Sequence, residues 1–267
     1  MHPPFDFTGK TVFVAGGTSG INLGIAEAFA RAGAKLAVLS RKQDKVDRAV
    51  AELGKLTKTA IGFAADVRQH EAIEAAFKAT REQLGEIDVL ISGAAGNFPA
   101  PAVGISPNGF KSVVDIDLIG TFHVMRAAFP HLKKPGASII NISAPQAEQP
   151  SAFQLHVCAA KAGVDMVTRV LAMEWGPLGV RVNSISPGPI EDTEGMARLA
   201  PTPETKKACM ESVPLKRYGT KQDIANAAMF VSSEWGSYIN GAVIPVDGGW
   251  VLAGAGSLST TLALAAK

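Results

Sequence analysis

Several things are scarce in this 267-residue chain, and each scarcity excludes something. Its two cysteines, Cys158 and Cys209, lie too far apart for a disulfide framework or a C-x-x-C pair, so a cytoplasmic, reducing location is expected. Lys and Arg number 26 against 24 Asp and Glu, a net charge of +2. That is not the concentrated basic excess of a nucleic-acid binder, so no nucleic-acid partner is expected. No apolar run approaches the ~18 residues of a membrane span, and Met1–Asp6 shows no charged-then-apolar leader. His123 and His131 have no metal-like cluster around them, so no metal is expected. Tyrosine is as scarce as cysteine: Tyr218 and Tyr238 are the only two.

What is present is an alternating pattern. Short branched apolar runs at 11–15, 35–40, 59–64, 87–92, 138–143, 180–185 and 242–246 read as strands. Between them, amphipathic Ala-rich stretches at 21–32, 43–53, 69–84, 110–132, 153–175 and 221–231 read as helices. Strands apolar on both faces predict an α/β chain with a doubly wound parallel sheet covered by helices on both sides. With no linker, repeat or charge block, residues 1–267 read as one domain. Residues 187–214 break the rhythm with five prolines and no clear element, as a lid or binding loop would. The tail, 252–267, is small and apolar, and reads as interface packing or a loose end.

Two segments carry nucleotide chemistry. Gly16-Gly17-Thr18-Ser19-Gly20-Ile21-Asn22 follows the first strand and opens a helix. Glycines there let the backbone turn and approach a pyrophosphate, whose charge sits on the helix N-terminus. At the end of the second strand, dinucleotide sites selective for the unphosphorylated ribose place a carboxylate. This chain has Ser40-Arg41-Lys42 instead. A guanidinium beside a hydroxyl suits a 2′-phosphate, so the expected cofactor is NADP(H).

Taken with Asp66-Val67, Gly93-Ala94-Ala95-Gly96, Lys161 and Pro187-Gly188-Pro189-Ile190, these segments resemble the short-chain dehydrogenase/reductase family over residues 8–250. The resemblance implies a Rossmann-type fold, Asp66 and Val67 beside the adenine, and Ala94 and Gly96 along the cofactor. It places Ile190 at the nicotinamide amide, Pro187 and Gly188 among the cofactor-binding residues, and Lys161 on the nicotinamide ribose. The family's third glycine is Asn22 here, and an Asn can adopt the left-handed backbone such a turn needs.

The usual members of this family use Asn, Ser, Tyr and Lys, and this chain departs from three of the four. Val157 stands one turn before Lys161 where the tyrosine belongs, Ala144 fills the serine position and Asp117 the asparagine position. Tyrosine positions of other branches, seven and fifteen residues before the lysine, hold Gln154 and Gln146. Asp117 and Lys161 remain as the candidate catalytic pair, a carboxylate and an ammonium able to order a water as proton donor. His156, five residues before Lys161, points away from the lysine on a helical wheel and reads as a structural or interface histidine.

The substitution pattern is similar to the 2,4-dienoyl-CoA reductases, the peroxisomal type in particular. The matching stretches are 96–98, 110–117, 174–177 and 187–195. This resemblance implies hydride transfer from NADPH to a conjugated acyl-CoA thioester, a fatty-acid substrate that leaves no alkoxide to protonate. It also implies a homotetramer built on the helices at 110–132 and 153–175. Lys206, Lys207, Lys216 and Arg217 flank the lid, either to meet CoA phosphates or as a solvated basic face. Two other readings stay open: a trans-2-enoyl-CoA reductase, and a catalytically silent NADP(H)-binding sensor.

Overall fold

Each apolar run before residue 250 becomes a strand of one sheet, and each amphipathic stretch between them supplies at least one helix. The computed structural model describes residues 5–253; of the tail at 252–267, all but Leu252 and Ala253 lie outside the described residues. The strands are β1 (Thr11–Ala15), β2 (Lys35–Ser40), β3 (Ala60–Ala64), β4 (Val89–Ser92), β5 (Ser138–Ile142), β6 (Arg181–Pro187) and β7 (Val243–Val246). They pair in parallel in the order β3-β2-β1-β4-β5-β6-β7.

Alternation along the strands divides the core in two. Val12 and Val14 face α1 (Gly20–Arg31), α2 (Gln43–Leu53) and α9 (Lys221–Ser232), with Ile25, Phe29, Leu53 and Ile224 filling that layer. Phe13 and Ala15 face the other side, where α3 (His70–Leu84), α5 (Gly120–Ala128) and α6 (Leu155–Trp175) bring Phe77, Met125 and Ala172. Phe13 stacks on Phe77 with ring centroids 4.2 Å apart. A strand buried on both faces has no polar side to show, which is why TVFVA and KLAVLS lack polar alternation.

Two local features depart from the sequence reading. The stretch at 110–132 is not one helix. It runs as α4 (Pro107–Val114), a π-helical turn at Asp115–Ile119 and then α5, with the Gly120 N–H bonded to the Asp115 carbonyl. The lid at 187–214 is not free of structure either: it holds α7 (Glu194–Leu199) and α8 (Pro203–Ser212). Thr193 caps the first, and a Thr202–Thr205 capping box with Pro203 in the first turn starts the second. These caps were legible, but helices of six and ten residues are too short for periodicity to show them.

The strand order places the crevice. β1 and β4 lie side by side while their crossovers leave in opposite directions, so the loops after them part at the C-terminal edge of the sheet.

Candidate active site

Two confluent cavities occupy that crevice, sharing Ser19, Asn22, Gly93, Ala95 and Glu194 in their walls. The outer one, about 220 Å³, is lined by Gly16 and Thr18 after β1, by Ser40 and Arg41 after β2, and by Val67 and Ala94. The inner one, about 330 Å³, is lined by Gly20 and Ile21 at the start of α1, by Gly96, and by Pro187, Gly188 and Ile190 after β6. Asp117 and Lys161 stand in its wall. Of the residues expected at the site, only Asp66 stands outside both linings. Arg68 forks its carboxylate at 3.0 and 2.6 Å and holds its pKa below the usual carboxylate range.

The turn into α1 fits a pyrophosphate. Gly20 has φ +57°, and a Cβ there would meet nothing within 4 Å, so a side chain would project into open cavity. Ser19, at the N-cap, makes no side-chain cap bond, which leaves the first N–H groups of α1 available to an anion. Asn22 does not adopt the left-handed backbone expected of it. Among the described residues, non-glycine positive φ occurs only at Phe153, Asp192 and Lys216. Gly16 and Gly20 make the turn, and Asn22 is already helical, its Nδ2 donating to the Gly93 carbonyl at 2.8 Å.

Arg41, Lys42 and Lys45 gather at the far end of the outer cavity with no carboxylate at the end of β2. Glu194, at the head of α7, reaches Lys45 at 3.5 Å. Arg198, one turn later, donates to the Asn97 carbonyl at 2.9 Å. The lid thus grips both sides of the crevice, and its Met196, Leu199 and Cys209 give the inner cavity an apolar wall.

At the inner end the π turn carries Asp117, which is 1% exposed. Such turns insert one residue into a helix and recur at functional sites. Its Oδ1 accepts the Gly96 N–H at 2.7 Å, and its Oδ2 lies 3.7 Å from Lys161 Nζ, an ion pair without a direct hydrogen bond. Lys161 Nζ donates to the Ile142 carbonyl at 2.8 Å. Burial pushes the Asp117 carboxyl above its ordinary pKa, against the opposing pull of Lys161, the Gly96 N–H and His156.

Three residues weighed in the sequence but not placed in the site stand near this pair. His156 is wholly buried on α6, edge-on to Phe98 at 4.4 Å, with neither ring nitrogen hydrogen-bonded, and close enough to act on Asp117. A wheel of α6 shows only its angle from Lys161; the approach to Asp117 depends on how α6 packs on the π turn. Gln146 and Gln154 both line the inner cavity and bond to each other at 3.2 Å. Val157 and Ala144 line it too, so apolar side chains fill the positions read as lacking Tyr and Ser. Neither tyrosine is there: Tyr218 donates to the Lys206 carbonyl and Tyr238 is fully exposed. On the basic rim, Arg217 is committed to Asp223 at 2.8 Å and Lys207 lies 3.8 Å from Glu211. Among the described residues no cluster of three or more His, Cys, Asp or Glu side chains could hold a metal ion, and no helix is long and apolar enough to cross a membrane.

Residues 15–251 match the family model described as Enoyl-(Acyl carrier protein) reductase. An Arabidopsis thaliana protein named peroxisomal 2,4-dienoyl-CoA reductase, (3E)-enoyl-CoA-producing, is 44% identical over 90% of this chain and 84% of its own. A Bacillus subtilis protein named a probable 2,4-dienoyl-CoA reductase, (2E)-enoyl-CoA-producing, is 40% identical over 90% of this chain and 96% of its own. A crystal structure of a short chain dehydrogenase from Bacillus anthracis superposes with a TM-score of 0.81 at 37% identity, covering 91% of this chain and 97% of that one.

Proposed function

The chain belongs to the short-chain dehydrogenase/reductase family, and from that premise we propose that it is an NADPH-dependent reductase of 2,4-dienoyl-CoA thioesters. The observation that carries this reading is a buried Asp117–Lys161 pair in a cavity that no tyrosine lines. Reduction of a ketone needs an acid placed at the new alkoxide. Reduction of a conjugated thioester needs a proton at carbon.

A bound reduced nicotinamide supplies the hydride. The chain's part is to hold the dienoyl group flat beneath the lid, so that the hydride arrives at the δ-carbon. The δ–γ electron pair then moves to γ–β, the β–α pair to α–carbonyl carbon, and the carbonyl pair to oxygen. Asp117 and Lys161 hold a water at the α-carbon. The enolate takes a proton from that water as its carbonyl re-forms, and the hydroxide left behind regains a proton from solvent. The product is therefore the 3-enoyl thioester. Proton NMR of the product should show vinyl protons at the β- and γ-carbons; a 2-enoyl product would place protonation at the γ-carbon and refute this arrangement.

Arg41, Lys42 and Lys45, with Ser40 beside them, support NADPH over NADH. Replacing Arg41 with alanine should raise the KM for NADPH about ten- to a hundredfold, the range of one charge-assisted bond, and leave that for NADH nearly unchanged. Cofactor titration of both forms checks it. The exposed Ile119 and Phe122 around the start of α5, and Met166, Val170 and Met173 on α6, support a homotetramer built on those helices. Two free cysteines accord with a cytoplasmic location.

A further inference from the structure

Gln154 stands at the mouth of α6, the residue before its first turn. It is 6% exposed and lies in the inner wall with Gln146, Asp117 and Lys161. Gln146 Nε2 donates to Gln154 Oε1 at 3.2 Å, which fixes the orientation of the Gln154 amide. Its other end, Nε2, bonds to no protein acceptor and is not sealed from the cavity. Two N–H donors of a cavity-lining side chain are thus left without a protein acceptor.

The helix behind adds to this. α6 is 21 residues long, Gln154 makes no side-chain cap bond, and no acidic residue sits in the first turn. The N–H groups of that turn therefore keep their partial positive charge beside Gln154. The Lys161 ammonium is held toward the Ile142 carbonyl and Asp117. This corner of the cavity offers amide donors at the amino end of a helix, while the Asp117 carboxylate of the same wall is taken up by Lys161 and the Gly96 N–H, and it suits an oxygen that gains charge during the reaction.

Resting on the thioester reading above, we propose that Gln154 Nε2, backed by the amino end of α6, receives the thioester oxygen and stabilises it as the enolate forms. Gln146 is the positioning residue that keeps the amide turned toward it. Lys161 and Asp117 are then left to the water at the α-carbon, so the two charges of the reaction are handled at separate places.

Gln154→Leu keeps the volume and removes both donors. It should lower kcat on a 2,4-dienoyl-CoA about a hundredfold, the loss typical of one oxyanion donor, with the NADPH Kd and thermal midpoint unchanged. Gln146→Leu should lower kcat less, with KM unchanged. A second readout needs no turnover. With a saturated acyl-CoA bound, the infrared thioester C=O band should lie at lower frequency in the wild type and return toward its free position in Gln154→Leu. An unshifted wild-type band, or full activity in Gln154→Leu, overturns this assignment. A shifted band in a protein that reduces no dienoyl-CoA overturns the reductase reading and leaves the oxygen site standing.

Discussion

Asp117→Asn should lower kcat on a dienoyl thioester by about 10²–10⁴-fold, the range of a positioned acid–base group, while NADPH binding stays close to wild type. Asparagine retains an acceptor for the Gly96 N–H, so the π turn keeps its anchor. What is lost is the charge facing Lys161 and the hold on water. The same change should raise stability at neutral pH. The Asp117 carboxyl has a folded pKa above its unfolded value, so its contribution favours the fold below the unfolded pKa and is lost as pH rises through the folded pKa. Above its folded pKa the wild type carries a buried carboxylate that asparagine does not. Thermal melts should show the variant ahead of wild type at pH 7 to 8, with the gap closing toward pH 4. A variant less stable at every pH would mean that the Lys161 pairing outweighs the desolvation.

Lys161→Met should be the more damaging substitution. It removes the ammonium paired with Asp117 and, on the family resemblance, the group that binds the nicotinamide ribose. Breaking a buried pair from one side costs about 3–5 kcal/mol when the remaining charge stays ionised. Asp117 escapes part of that by taking up a proton, since the opposing pull of Lys161 on its carboxyl is gone. Turnover should therefore fall by at least ~10³-fold and NADPH affinity by ~10-fold or more, as two functions are lost at once. The Asp117→Asn/Lys161→Met double variant should be scarcely slower than Lys161→Met, because residues that act as a unit do not add. Additive losses would show that the two residues act separately.

The two variants divide the site as the sequence already divided it. Strands of the TVFVA type were plain because a strand between two helical layers must be apolar on both faces. The glycine turn was plain because Gly16 and Gly20 hold a left-handed backbone that L side chains rarely adopt. The catalytic substitutions were readable as departures at fixed positions: Asp117, Ala144 and Val157. Other features were hidden for physical reasons. A five-residue π turn leaves no period of its own, yet it is what carries Asp117 in the cavity wall. Asn22 was assigned a left-handed backbone that the chain instead takes at Gly20, two residues earlier. Gln146 and Gln154 are eight apart across an irregular segment, a spacing that predicts no contact, and only the folded chain joins them. His156 meets Phe98 and approaches Asp117 through packing between elements, which no single helical wheel contains.

The most direct test follows NADPH absorbance when the purified protein is given a 2,4-dienoyl-CoA, a 2-enoyl-CoA or a simple ketone. Rapid oxidation with the dienoyl thioester, little with the enoyl thioester and none with the ketone is the predicted result. Ketone reduction at a comparable rate, or NADPH bound but never oxidised by any thioester, would contradict a reductase that works without tyrosine through Asp117 and Lys161.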